Sequence, residues 1–368
     1  MEQIRRSFCL VIGILLTITA HFELVAQTTP TVPQSINEVG RSYRSLAMGN
    51  TGIASANDSS ALFYNPAVLA NVEGWWLDYG TWTAEGTQKF TPEDAGLIMI
   101  STTYPYINRD GLSETNKSKF LAIEDAYLRG SAGLTLTANI MSEGLTIAGT
   151  YVIENSIASL DSGNYVYQRD DVIRKYGLSI PIGLGQFVIG LARSDITRKT
   201  SLEPSTDTIT NWGEEETGTG YDVGILFRMA NKARITWGLV AYNAGGTKFG
   251  SSSDNEVEQT YGIGVSMNHD LGIFRIVPAI DVRNIGSHLD KQNTVHAGLE
   301  IGMFPNSTGG SYLSYRVGYN QGYTTTGMEL NLFNRYIILG WANYGEEIGT
   351  ADDPKENRRT VYYFNLAF

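Results

Sequence analysis

The sequence predicts an all-β fold, a transmembrane antiparallel β-barrel of about 14 strands with an N-terminal plug segment in its lumen. Three observations carry that prediction. Segments of about ten residues alternate apolar and polar side chains with a period of two. The connections between them alternate in length, short then long. The non-apolar face of the alternating segments carries charges, which need water or partners and which a barrel lumen supplies.

The order of elements begins with a leader. Arg5 and Arg6 form a basic start, Phe8 to Ala20 is almost wholly apolar, and "HFELVAQ" follows with Ala26 as the expected cleavage point, so residues 1–26 read as a secretory signal. The apolar run is shorter than the roughly 20 residues of a spanning helix. Cys9, the sole cysteine, lies inside it, which leaves the remaining chain without disulfides, thiolate metal sites or cysteine nucleophiles. Glu2, Glu23, Arg5 and Arg6 cancel, so the chain beyond the leader keeps the net charge of -11. That charge makes nucleic acid a poor partner. Forty glycines and 21 tyrosines point to many strands and turns.

Residues 73–368 read as the wall. In "TVHAGLEIGM" Val295, Ala297, Leu299, Ile301 and Met303 share one face, against Thr294, His296, Gly298, Glu300 and Gly302. "YLSYRVGYN" sets Leu313, Tyr315, Val317 and Tyr319 against Ser314, Arg316, Gly318 and Asn320. "SAGLTLTANI", "YDVGILFRM" and "TYGIGVSMN" repeat the pattern, and "RTVYYFNLAF" puts Thr360, Tyr362, Phe364, Leu366 and Phe368 together. About fifteen such segments occur, and single-chain bacterial barrels take an even number. The doubtful pair is Gly74 to Trp82 and Gly96 to Tyr104, one of which belongs to a long first loop or to the interior.

Tight turns are expected at Ser142 to Gly144, Gly183 to Gly185, Asn231 to Ala233, His269 to Leu271 and Phe333 to Asn334. Long polar linkers are expected at Ser194 to Gly220, Ala244 to Gln259 and Gly345 to Arg358. Short periplasmic turns and long external loops have this asymmetry, which a soluble sandwich has no reason to show. The expected lumen-facing polar residues are Asp222, Arg228, Arg275, Asp281, Arg283, His296, Glu300, Arg316 and Glu329. Trp75, Trp76, Trp82, Tyr336, Trp341, Tyr344, Tyr362 and Tyr363 suit interfacial girdles.

Between leader and wall, residues 27–72 read as the plug. The stretch "NDSSALFYNPAVLA", Asn57 to Ala70, cannot continue as one regular strand or helix. Pro66 fixes its own φ, lacks an N–H and biases Asn65 toward extended geometry. Gly49 and Gly52 allow positive φ or close backbone approach. Leu62, Phe63, Val68 and Leu69 need burial, which a lumen provides. No wall hydrogen bond is expected to depend on Asn65 or Pro66.

The stretch "GRSYRSLAMGNTGIASANDSSALFYNPAVLA" resembles the N-terminal signature of the FadL-type outer-membrane transporters and their relatives, with the resemblance carried by Leu46 to Gly52 and Asp58 to Ala70. The resemblance implies a 14-stranded barrel closed by a hatch in which Gly49, Gly52, Asp58, Asn65, Pro66 and Ala67 are the motif positions. Phe368 resembles the terminal aromatic by which such barrels are handed to the barrel assembly machinery. The implied setting is the bacterial outer membrane, with its lipid and lipopolysaccharide as neighbours. The implied function is a channel for hydrophobic or amphiphilic small molecules, long-chain fatty acid-like, gated by the hatch. Its alternative is a PorV-like scaffold or shuttle that binds secreted proteins.

Material for an enzyme is scarce. Among the histidines, His269 falls in a turn, His288 in a loop and His296 on a polar strand face. No nucleophile elbow, metalloprotease helix or phosphate-cradling loop occurs. No cofactor or metal is expected, and the acidic runs Gly213 to Glu216 and Ala351 to Glu356 read as solvated loops.

Overall fold

The computed structural model describes residues 39–72, 74–87, 120, 122–140, 144–160, 163–183, 185–204, 213–229, 234–250, 252–286, 294–306, 310–349 and 353–368. The expected leader, Gly96 to Tyr104, Asn231 to Ala233 and His288 lie outside them.

The strands are β1 (Trp75–Thr87), β2 (Tyr127–Asn139), β3 (Thr146–Leu160), β4 (Tyr165–Ile182), β5 (Phe187–Pro204) and β6 (Glu216–Arg228). They continue as β7 (Thr236–Tyr242), β8 (Thr247–Phe249), β9 (Ser252–Val257), β10 (Thr260–Ser266), β11 (His269–Leu271) and β12 (Phe274–Ile285). The series ends with β13 (Val295–Pro305), β14 (Ser311–Asn320), β15 (Tyr323–Leu332), β16 (Ile337–Glu347) and β17 (Glu356–Ala367). Among the described residues fourteen of these close an antiparallel ring: β1 pairs with both β2 and β17, and β10 with both β7 and β12. The remaining three are a separate β8–β9 hairpin and β11, which folds back on β12. Closure matters because each backbone group in lipid must find its partner within the protein. The segment from Gly74 to Trp82 thus belongs to the wall, as the start of β1.

The alternation sorts the two faces. On β13, Leu299 and Ile301 turn outward while His296 and Glu300 are buried inside. Leu191, Ile225, Leu239, Ile280, Val317 and Leu339 are exposed on the exterior, as a hydrocarbon-facing belt requires. Along β5 the outward series runs Phe187, Ile189, Leu191 and then Arg193, which places the edge of the belt about midway along an 18-residue strand. A crossing needs only about 9–11 residues. The outer halves of β4 and β5 therefore stand beyond the membrane.

That projection corrects two expectations. Ser194 to Gly220 is not one long linker, since β5 runs to Pro204 and β6 starts at Glu216. Gly345 to Arg358 shrinks likewise between β16 and β17, and Ala244 to Gln259 contains the β8–β9 hairpin. Above the membrane the outward face of a strand meets water and not lipid, so the ladder continues where the apolar period has vanished. His269 to Leu271 is a strand, not a turn, and the reversal sits at Gly272, whose φ is +65°. The loop-rich end is also less uniform than expected, because β14 and β15 are joined there by Gln321 and Gly322 alone.

Two of the expected girdle aromatics point inward. Tyr344 is fully buried among Leu46, Ala47 and Ala342, and Tyr363 packs against the same cluster. Parity gives the reason: Tyr362 and Tyr363 are consecutive on a strand and must take opposite faces. Trp75, Tyr336 and Tyr362 are exposed outside, and Trp82 stacks on Phe364.

Residues 39–72 lie within the ring, and a segment of this kind fits a plug. They form α1 (Tyr43–Ala47), α2 (Ala61–Tyr64) and a 3-10 turn (Pro66–Asn71). Asn65 is extended at φ -165° and ψ 113°, and its Oδ1 accepts from the Ala67 N–H at 3.0 Å. This caps the turn that Pro66 opens, where a missing N–H costs nothing. Leu62, Val68 and Leu69 are buried against Val188 and Leu226 of the wall. Each such leucine is worth about 1.5–3 kcal/mol when fully buried.

Candidate lumen site

The wall receives the plug through absent side chains. Gly190 of β5 faces Gly224 of β6, Gly238 of β7 faces Gly264 of β10, and Gly298 of β13 faces Gly318 of β14. A Cβ on Gly190 would fall 2.0 Å from the Ala67 nitrogen, and one on Gly298 would fall 2.3 Å from the Met48 carbonyl oxygen. One on Gly318 would fall 2.3 Å from the Gly49 nitrogen. Gly340 of β16 gives the same room to the Tyr43 ring, 2.3 Å from where its Cβ would be. The plug backbone thus lies on the wall backbone over much of the ring.

Polar side chains fix the register of that contact. The Asp281 Oδ2 accepts from Gly52 N (2.7 Å) and Ile53 N (2.9 Å). Arg283 donates to the Asn50 carbonyl at 3.3 Å and sits 5.1 Å from the Tyr64 ring centre. The His296 Nδ1 lies 3.0 Å from both Gly49 O and Asn320 Oδ1. Glu300 accepts from Arg44 (3.0 Å) and Arg316 (2.7 Å), Arg316 donates also to Glu329 (2.8 Å), and Glu329 takes the Tyr43 hydroxyl proton donor. Arg228 reaches Asn71 at 2.7 Å. Asp222 pairs with Lys175, which lies 5.2 Å from the ring centre of Phe63 in the plug, and Arg275 pairs with Asp270.

The motif positions lie in the same contact. Gly49 has φ +66° and Gly52 leaves no room for a Cβ beside the Tyr64 ring. Asp58 accepts from the Ser60 N–H at 2.9 Å, opening α2. Asn65 Nδ2 donates to Ile53 O at 2.9 Å and approaches the wall carbonyls of Ile225 (3.5 Å) and Leu239 (3.4 Å). The expectation that no wall hydrogen bond depends on Asn65 is corrected by these two long bonds to wall carbonyls. Phe368 lies outside the lumen; its backbone exchanges two 3.0 Å hydrogen bonds with Leu77 and its exposed ring meets Tyr79.

Sequence reasoning missed a second charged system. Glu85, Arg129, Glu154, Arg169, Asp171 and Arg198 alternate in sign across β1 to β5, with N–O separations of 2.6 Å for Glu85–Arg129, 2.8 Å for Glu154–Arg169 and 2.8 Å for Asp171–Arg198. All six are buried. Their signal was inward parity, obscured on β4 and β5 because the outward positions Asp170, Thr197 and Lys199 are polar too. The plug arginines Arg41 and Arg44, which bind Glu346 and Glu300, were missed as well.

Where glycines do not draw the plug onto the wall, space remains. An upper chamber of about 630 Å³, counting its opening, lies between the plug and β1 to β3. Phe63, Tyr43, Tyr363 and Val152 contribute its apolar surface, and Thr81, Thr83, Ser131, Thr135 and Thr150 its hydroxyls. The hydroxyls are paired with one another, Thr135 to Thr150 at 2.7 Å and Thr83 to Ser131, or with Asn365 in the case of Thr81. A lower chamber of about 520 Å³, again with its opening, is lined by Arg44, Ser311, Ser314, Arg316, Asn331 and Arg335 among others. Among the described residues no group of three metal-ligating side chains occurs.

No family model and no curated protein matches the sequence. Solved structures do match in shape. The CymD monoaromatic hydrocarbon channel superposes with a TM-score of 0.56 at 11% identity, over 90% of this chain and 98% of that one. The Ralstonia pickettii toluene transporter TbuX gives 0.54 at 11%, over 94% and 100%. The deltaS2 mutant of the TodX monoaromatic hydrocarbon channel gives 0.53 at 12%, over 90% and 98%. The chain shares the fold of these channels. The apolar belt, the closed ring and the polar interior are those of a barrel that spans the bacterial outer membrane.

Proposed function

We propose that the protein is an outer-membrane channel for hydrophobic or amphiphilic small molecules. The observation that carries this reading is the upper chamber, whose hydroxyls satisfy one another and whose charged lining residues Arg41 and Glu154 are held in ion pairs with Glu346 and Arg169. Sites lined mostly by apolar and aromatic side chains with a few placed polar groups suit solutes of that kind. The names of CymD and TbuX, a monoaromatic hydrocarbon channel and a toluene transporter, agree with the class. A long-chain fatty acid is the amphiphilic member of it, with its chain against Phe63 and Val152. Mass spectrometry of lipophilic compounds retained by detergent-purified protein, followed by their displacement with an added amphiphile, tests the reading. Protein that retains nothing and imports no hydrophobic probe into liposomes would overturn it.

A second reading rests on β4 and β5, whose outer halves extend beyond the membrane as a platform. In that reading the barrel is a scaffold for a secreted protein. Stable co-purification of one secreted partner, lost on shortening the β4–β5 projection, would favour it.

A further inference from the structure

We propose that the stacked pair Tyr43–Tyr363 is the gate between the two lumen chambers, and that it opens by rotation of Tyr363 while the plug backbone stays in place. The proposal rests on the lumen being a solute route. It differs from a hatch that swings as a body.

The chambers share four lining residues, Tyr43, Asp58, Ser59 and Tyr363. The two rings lie 3.8 Å apart at 22°, face to face across that boundary. The partners are unequally held. Tyr43 rests where Gly340 leaves space, and its hydroxyl donates to Glu329, which Arg316 fixes in turn. Tyr363 springs from the wall strand β17, is only partly buried, and makes no hydrogen bond through its hydroxyl among the described residues. On one side its strand neighbour is Thr83 of the upper chamber, and two positions along its own strand is Asn365 of the lower one. Tyr43 is thus the post and Tyr363 the leaf.

Movement of the whole plug is the more demanding alternative. Its backbone touches wall backbone at Gly190, Gly298 and Gly318, and Asp281, Arg283, His296 and Glu300 hold it at buried contacts. Swinging it out breaks these together, strips the buried Asp281 carboxylate of both its backbone donors and leaves Glu300 with Arg316 alone. Rotating one ring costs the stack and part of its packing against the cluster around Leu46 and Ala342, while every plug–wall hydrogen bond stays in place.

The test uses the whole protein in planar bilayers for ionic conductance and in liposomes for influx of the uncharged dye N-phenyl-1-naphthylamine. Tyr363→Ala should raise conductance and influx by roughly two- to tenfold, the worth of a lost aromatic pair, with heat-modifiable mobility retained. Tyr363→Phe keeps the stack and should behave as wild type. Tyr363→Leu supplies the same reading as alanine if that variant does not assemble. Wild-type conductance in folded Tyr363→Ala or Tyr363→Leu, or equal opening by Tyr363→Phe, overturns the gate. Dye influx in the wild type together with that insensitivity overturns the gate alone. Conductance that rises in Tyr363→Ala while no dye enters any variant supports the gate and overturns the small-molecule reading instead.

Discussion

The plug meets the wall in two ways around the ring. Toward β5 to β16 it lies on glycines and buried ion pairs, backbone against backbone, with no room for a methyl group. Toward β1 to β3 it stands off, and threonines and serines line the gap. The first side is a joint and the second is a passage. One element can do both because a packed interface tolerates almost no added volume, whereas a chamber tolerates exchange of its lining.

The sharpest way to break this contrast is at the joint's charges. Glu300 lies between Arg44 and Arg316, so Glu300→Arg should cost at least about 3–5 kcal/mol, the scale for breaking a buried pair, before the new cation is counted. Leu299→Arg places a cation against lipid at about 2–4 kcal/mol. Folded yield in bilayers should therefore be lower for Glu300→Arg than for Leu299→Arg. The sequence alone suggests the opposite order, because a lumen position reads as water-filled until its neighbours are seen. A higher yield for Glu300→Arg would mean that the joint is wet.

Gly318→Ala comes next. Its Cβ would need Gly49 to recede from 2.3 Å, a backbone clash that costs about 1–3 kcal/mol as overpacking, read as a lower unfolding midpoint in urea. Asn65→Ala removes the cap of the Pro66 turn and should cost about 0.5–2 kcal/mol. In bilayers Asn65→Ala combined with Pro66→Ala should show more frequent openings than wild type while the wall persists. The smallest effect is expected in the passage. Thr135→Val leaves Thr150 with the Leu134 carbonyl alone for about 0.5–1.5 kcal/mol, and dye influx should hold or rise. A loss of folding from Thr135→Val larger than that from Gly318→Ala would invert the contrast.

The joint and the passage were unequally legible in the sequence. Wall strands announced themselves wherever lipid enforces alternation, as at Leu299 and Ile301, and the inward parity of Asp281, Arg283, His296 and Glu300 followed from the same period. Asn65-Pro66 marked a segment unfit for the wall. What those residues would touch was not readable, because a period of two gives a face and not a partner. The glycine pairs were visible only as frequency, since Gly298 opposite Gly318 requires the strand register. The outer charged ladder escaped because Arg169 and Asp171 sit where β4 has left the membrane and polar residues fill both faces.

The seam between β1 and β17 governs how such a molecule can be made. Asn365 hydrogen-bonds Asp78 across 287 positions of chain, so the seam joins the first wall strand to the final one in the series. Every other wall pairing except β10–β12 and β7–β10 links immediate successors in that series. Until β17 arrives, β1 is a bare edge, open to pairing with foreign strands. Closing so large a loop is entropically expensive and slow. The plug must also be seated before the ring shuts, because afterwards its glycine bed is reachable only from the ends. Assembly therefore has an order in time, inner segment first and seam last, and chaperoning is needed most while that edge waits.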